Sequence, residues 1–300
     1  MMKPKAIAIV GPTASGKTAL SITLTQHFNG EVISADSRQV YRGMDVGTGK
    51  VTVAEMDGIV HHLIDIADPA TDLYTGADFA RDGALALSDI TKRGKLPIIA
   101  GGTFFYLELL QGKMQSAPVP PNPELRAELE LKSAEELFTL LEAKDPRRAS
   151  MIDRDNPRRL IRALEIIDAL GAVPEVLHVD SPYEWLTLGI DIPTDILHER
   201  INKRIVDRID QGMITEVETL HASGVSWQRL DSFGLEYRYL ARYLQNQINR
   251  DEMITELNTK IRQFAKRQLT WLKRDPSIIW LPFPVDTARV ISLVGDFLKE

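Results

Sequence analysis

The segment Gly11-Pro12-Thr13-Ala14-Ser15-Gly16-Lys17-Thr18 is a GxxxxGKT loop. An apolar run, Ala6 to Val10, precedes it, and a helical pattern from Ala19 to Phe28 follows. Strand, glycine loop and helix in that order make a phosphate cradle, in which successive N–H groups curl around an anion that the positive helix end also faces. Glycine at 11 and 16 permits the tight backbone, Lys17 supplies a point charge, and the Thr18 hydroxyl suits Mg²⁺. The plainer alternative is a glycine-rich turn between a strand and a helix. The pattern names a ligand class, a diphosphate or triphosphate, and leaves the reaction open.

Other residues could work on such a ligand. Asp36-Ser37-Arg38-Gln39 lies just past a second apolar run, Glu31 to Ala35, and Gly101-Gly102-Thr103 just past a third, Leu96 to Ala100. In open α/β sheets that edge lines the ligand crevice, so Asp36 should face the phosphate; the same carboxylate is also suited to capping a turn. The strand Leu96–Ala100 lacks the acidic end of a motor-type ATPase. Asp65 is the candidate substitute, or a loop cap. On a helix projected from Leu197 to about Ala222, Ile201, Ile205, Ile209, Met213, Val217 and Leu220 share a core face. Arg200, Arg204 and Arg208 follow at i, i+4, i+8 along its flank, either as a solvated ridge or leaning over an anion. Glu216 falls inside the apolar arc and needs a partner. From Lys260 to Arg274 there are six basic residues and no acidic one. A helix there presents Lys260, Arg262, Lys266, Arg267, Lys273 and Arg274 on one half, with Ile261, Phe264, Ala265, Leu269, Trp271 and Leu272 on the other. That is either the footprint of a nucleic-acid backbone or an ordinary solvated face.

The elements that must position these groups alternate at first. Strands at Ala6–Val10, Glu31–Ala35, His62–Ile66 and Leu96–Ala100, with a helix over 77–92, predict a parallel sheet covered by helices. The proline-rich stretch 117–123 reads as a linker into helices opened by Asn122-Pro123, by the capping box Ser133 to Glu136, and by Asn156-Pro157. Trp185–Ile190 reads as a strand returning to the sheet, and the chain from about Thr194 as mostly helical. The 300 residues are 44% hydrophobic and 26% charged, which is globular composition. Zero cysteines exclude disulfides and thiolate sites and fit the cytoplasm. No apolar run approaches the ~18 residues of a membrane span. A net charge of −6 means that a nucleic-acid partner requires a local basic patch.

Taken in order, GPTASGKT, DSRQVYRGMDVGTGK (36–50), GGTFFYL (101–107), RRLIRALE (158–165), RINKR (200–204) and RQFAKRQLTW (262–271) resemble the tRNA dimethylallyltransferases, or tRNA isopentenyltransferases, nearly end to end. The resemblance implies a P-loop NTPase-like parallel α/β core, residues 1–115 and 182–300, with a helical insertion, 116–181, that contacts tRNA. It implies transfer of a dimethylallyl group from dimethylallyl diphosphate to the exocyclic amine of the adenine 3′-adjacent to the anticodon in certain tRNAs. Mg²⁺ is the implied cofactor, and a cytoplasmic monomer the expected form. Gly11, Thr13, Ala14, Ser15, Gly16, Lys17 and Thr18 would hold the diphosphate. Asp36 would accept the amine proton, with Lys17, Thr18, Arg204 and Thr103 completing the catalytic set and Gln39 helping Thr103 to hold the base. The tRNA would meet Asp36, Ser37, Arg38, Gln39 and Thr103 near the reaction. Arg126, Arg158, Arg159 and Arg162 of the insertion, and Arg262, Lys266, Arg267 and Gln268, would grip it further away. A small-molecule kinase using the loop for ATP, or a nucleotide-regulated RNA-binding module, are the alternatives. The chain departs from the family pattern at Phe104 (usually glycine), Val51 (usually proline), Arg208 (usually methionine) and Gly234-Leu235-Glu236 (usually GYKE). The first three bear on the prenyl pocket or the RNA contacts, none on the glycine loop or Asp36.

Overall fold

The computed structural model describes residues 3–175 and 180–299. The chain divides into two compact units, 1–112 with 180–300, and 113–179. The first opens with β1 (Lys5–Val10), α1 (Lys17–His27), β2 (Gly30–Ser34), α2 (Val53–Met56), β3 (His61–His62), α3 (Gly76–Lys92), β4 (Leu96–Ala100) and α4 (Phe104–Leu110). The second unit holds α5 (Pro123–Leu129), α6 (Ala134–Lys144), α7 (Pro146–Ala149) and α8 (Pro157–Leu170). The first unit then resumes with β5 (Glu184–Asp191), α9 (Thr194–Asp210), α10 (Met213–Ala222), α11 (Trp227–Phe233), α12 (Leu235–Leu244), α13 (Arg250–Leu272), β6 (Ile278–Pro282) and α14 (Thr287–Lys299).

The strands form one parallel sheet in the order β3-β2-β4-β1-β5-β6. Alternation along β1 feeds two cores. Ala6, Ala8 and Val10 join α3 and α4 on one face, whereas Ile7 and Ile9 join α1 and α14 on the other. Each fully buried isoleucine contributes about 1.5–3 kcal/mol, so the central strand is anchored from both sides. A third core holds α9 to α13 together through Ile201, Ile205, Val217, Leu240 and Leu257. The second unit has its own core around Leu137, Leu141, Leu160 and Leu164, and Asn122, Ser133 and Asn156 cap its helices.

Three expectations are corrected. The strand expected over His62–Ile66 is only His61–His62, because Leu63 and Asp65 take positive φ and bend the chain away. The helix projected from Leu197 to Ala222 is broken at Gly212, whose φ of 97° ends one segment and opens the next. A sixth strand at Ile278–Pro282, parallel to β5, lies within the stretch expected to be mostly helical. Its run Ile278-Ile279-Trp280-Leu281 is too short for its periodicity to tell strand from helix.

Candidate active site

Because all six strands point one way, the carboxyl ends of β1, β2 and β4 bring three loops to one edge. The first is the glycine loop. Gly11, Ala14 and Gly16 adopt positive φ, and α1 starts at Lys17 with neither a side-chain cap nor an acid in its first turn. The free N–H groups and positive end of α1 therefore face outward. The Lys17 ammonium folds back, donating to the Gly11 and Pro12 carbonyls at 2.9 and 2.7 Å. Burial, then the nearby Arg204, lowers its pKa to about 7, against the pull of Asp36. The Ser15 hydroxyl is buried within the loop without a partner, and the Thr18 residue is exposed.

The second loop carries Asp36. Its Oδ1 accepts the main-chain N–H groups of Arg38 (2.9 Å) and Gln39 (3.4 Å), so it does cap a turn. The carboxylate nonetheless acts electrostatically on both Lys17 and Arg204. The carboxylate that caps the turn thus also lies within electrostatic reach of both cations. Thr103 braces the turn from β4: its hydroxyl accepts the Ser37 N–H at 3.0 Å and its N–H reaches the Ala35 carbonyl. This crossing requires Gly101, where a Cβ would fall 2.1 Å from the Ala35 oxygen. Gln39 touches Asp36 only through its main chain. Its side chain spans from Ser34 to the Gly49 carbonyl. Arg38 turns toward the Phe233 carbonyl and ring.

The arginine ridge of α9 turns inward along its length, from an exposed Arg200 through a half-buried Arg204 to a buried Arg208. Arg200 reaches the Ala14 carbonyl, and Arg204 donates to the Thr13 hydroxyl (3.1 Å) and the Thr48 carbonyl (3.5 Å). Arg208 is 7% exposed and donates to the Gly47 carbonyl and to Glu236, at 3.2 and 3.4 Å. The guanidinium groups of the buried Arg208 and the half-buried Arg204 pack where a side chain on Gly49 would lie, since a Cβ there falls 1.5 Å from the first and 2.3 Å from the second. Burial raises the Glu236 carboxyl to about 6, with Arg204 opposing and Asp36 adding to the rise. Glu216 explains its place in the apolar arc. It accepts the successive N–H groups of Asp45, Val46 and Gly47, plus the Tyr237 hydroxyl. This is an anion nest filled by a side chain of the protein itself. Asp65 pairs with Lys50, and not with the glycine loop.

Gln268 joins the loops. Its Oε1 accepts the Thr13 N–H and its Nε2 donates to the Gly102 carbonyl, both at 2.9 Å. Expected among RNA-facing groups, it is 5% exposed and bridges the glycine loop to Gly102. The signal was its spacing: Leu257, Ile261, Ala265, Gln268 and Leu272 trace one buried line along α13. Trp271, expected on the apolar half, is 37% exposed. Lys260, Lys266, Arg267, Lys273 and Arg274 are exposed, while Arg262 bonds Asn202. Within the second unit, Arg126 and Arg162 are committed to Glu165, which is 1% exposed. Burial pushes that carboxyl up, but Arg126 and the Asn122 N–H outweigh it and hold it below its ordinary pKa. Arg158 and Arg159 are exposed.

Among the described residues there is no cluster of three or more metal-ligating His, Asp or Glu side chains. Mg²⁺ commonly takes one or two protein oxygens and completes its shell from water and substrate phosphates. The accessible Thr18 at the start of α1 fits that mode, and a dedicated all-protein cage does not.

The fold and its carboxyl edge define an α/β protein of the P-loop-like class. A family model described as IPP transferase matches residues 39–275. The chain is 44% identical over 271 residues to tRNA dimethylallyltransferase 2 of Citrifermentans bemidjiense, covering 90% of this chain and 87% of that one. It is 44% identical over 277 residues to tRNA dimethylallyltransferase 2 of Treponema denticola, covering 91% and 92%. Among solved structures it is similar to the full-length tRNA isopentenylpyrophosphate transferase of Bacillus halodurans (TM-score 0.73, 37% identity, 99% and 96% covered). It is also similar to a eukaryotic dimethylallyltransferase acting on tRNA (TM-score 0.80, 26% identity, 99% and 80% covered). The chain belongs to the IPP transferase family of tRNA dimethylallyltransferases.

Proposed function

We propose that the protein transfers a dimethylallyl group from dimethylallyl diphosphate to the exocyclic amine of the adenine 3′-adjacent to the anticodon of certain tRNAs. The C–O bond to the diphosphate breaks, an N–C bond forms, and the amine loses a proton. The observation that carries this reading is Asp36 facing Lys17 and Arg204 at one sheet edge, a carboxylate beside two cations. The glycine-loop amides, Lys17 and Arg204 stabilise the growing charge of the diphosphate. Thr18 would hold a Mg²⁺ together with the phosphates, and that ion would supply further charge neutralisation. Adenine's amine is a poor nucleophile because its lone pair is delocalised, so Asp36 takes the proton as bonding proceeds. The Asp36 turn, fixed by Thr103, keeps this base from swinging away. The target adenine leaves its stack to reach the cleft, as enzymes acting on bases require.

Incubation with labelled dimethylallyl diphosphate and bulk tRNA tests the reading directly. Label should pass to tRNA from the prenyl donor; phosphate transfer from labelled ATP would instead support a kinase. Asp36→Asn should keep the fold and most tRNA affinity but slow single-turnover transfer by roughly 100-fold or more, the range for a lost general base. Near-normal single-turnover rates with a lowered melting temperature would reduce Asp36 to its turn.

A further inference from the structure

The exposed indole of Trp271 has no part in the chemistry above. It lies on α13 four residues after Arg267 and three before Arg274, and Lys260 precedes Arg267 by seven. At 100° per residue Lys260, Arg267 and Trp271 fall on one flank of the helix, Arg274 lies in the turn just past its end, and the three basic residues are exposed. The ring is held in place. Its Nε1–H donates to Glu108 Oε1 on α4 at 3.0 Å, and the Arg274 guanidinium lies 5.6 Å from the ring centroid. One turn back along α13, Gln268 touches both the glycine loop and Gly102. A fixed, 37% exposed indole therefore sits one helical turn from the glutamine that bridges the glycine loop and Gly102.

We propose that Trp271 is a stacking platform for a nucleobase adjoining the target adenine in the RNA substrate. The inference rests on the transferase reading above and extends it to a residue that reads the shape of the RNA loop. Extruding one base from a loop leaves its neighbours unstacked, and an indole face replaces the lost partner without regard to base identity. Arg267 and Lys260 on the same flank meet the phosphates that accompany that base. Aromatic platforms flanked by cations are how single-stranded nucleic acid is commonly held. A residue serving only the core would have its ring covered.

The experiment uses the full chain and an anticodon stem-loop RNA carrying 2-aminopurine on one side or the other of the target adenine. Binding of the wild type should quench the probe on one side. At saturating protein, Trp271→Ala should lose that quench and Trp271→Phe should keep most of it. Trp271→Ala should weaken RNA affinity by about 5- to 150-fold, the range for one base–aromatic stack, with the slope of log Kd against log salt unchanged. Arg267→Ala should keep the quench at saturation while lowering the slope by about 1. Thermal melting of each variant separates a folding defect from a lost stack, and Trp271→Phe reports even if the alanine variant unfolds. A quench that persists in Trp271→Ala, or RNA affinity unaltered in both substitutions, overturns the platform. If wild type transfers dimethylallyl to this stem-loop while the quench is absent, only the platform falls. If it transfers nothing to any tRNA, the transferase reading fails first.

Discussion

Two sets of cations, both read from the sequence as basic helix flanks, end in opposite environments. On α9, Arg204 and Arg208 are drawn inward and direct donors to Thr13, Gly47, Thr48 and Glu236. On α13, Lys260, Lys266 and Arg267 stand in solvent with no carboxylate paired to them among the described residues. The difference is one of pre-organisation. A cation fixed against carbonyls and hydroxyls before a ligand arrives loses little freedom when charge develops beside it, so its value lies in rate. A free cation exchanges its counterions for phosphates, so its value lies in affinity and depends on salt. Mutating one member of each set should therefore alter different measurements.

The largest expected effect is at Arg204. Arg204→Ala should lower the turnover rate by about 10²–10³, the cost of removing one pre-organised charge partner, with tRNA affinity unchanged in a gel shift. It should also move a titration. With the Lys17 pKa lowered to about 7, inorganic pyrophosphate binding should weaken as pH rises through that value, because the ammonium becomes neutral. Arg204 helps to hold Lys17 down, so in the variant the weakening should occur at higher pH. Equal loss of tRNA affinity would break the contrast between the two helices.

Arg126→Ala gives the next largest effect, on stability. It leaves Glu165 buried with Arg162 as a poorer partner, so the unit at 113–179 should lose about 2–3 kcal/mol, below the range for a fully buried pair because Arg126 is partly exposed. Hydrogen exchange confined to that unit is the measurement, and unchanged protection there would show that Arg126 is free to act elsewhere.

Glu236→Gln sharpens the inward half of the contrast. A carboxyl raised to about 6 in the fold contributes stability below its unfolded pKa, and that contribution is lost as pH rises through 6. At pH 8 the charged Glu236 therefore costs about 2 kcal/mol or less, allowing for relaxation. The glutamine variant should melt a few degrees higher at pH 8 and show little difference at pH 4. A gain of equal size at both pH values would assign the effect to packing.

How much of this was legible beforehand follows from what each signal depends on. The glycine loop and the Asp36 turn are local patterns bound to strand ends, and parallel topology carries both to one edge. Gln268, Glu236 and the nest around Glu216 depend on segments far apart in sequence, and no period or spacing predicts that α12 and α13 will pack there. Gln268 entered only through the family resemblance, as an RNA-facing group, although Leu257, Ile261, Ala265 and Leu272 mark the buried line it lies on. The break at Gly212 escaped because apolar spacing continues across it: Met213, Val217 and Leu220 are buried on a new helix. Trp271 was misplaced because it lies at the edge of the apolar arc, where a wheel cannot tell covered from open.

The smallest effect belongs to the outward half and is the most specific to it. Arg267→Ala removes one charge from an exposed flank, so turnover at saturating tRNA and thermal stability should both hold within error. Binding should fall modestly at low salt and converge on wild type as salt rises, because the lost contribution is counterion release. The slope of log Kd against log salt should drop by about 1 if Arg267 meets one phosphate, and by about 2 when Lys266→Ala is added and meets another. Additivity is expected if each residue contacts its own phosphate. If the double variant changes the slope no more than the single one, only one of the two meets the backbone. An unchanged slope in both would return this flank of α13 to an ordinary solvated face and leave the grip on RNA to other residues.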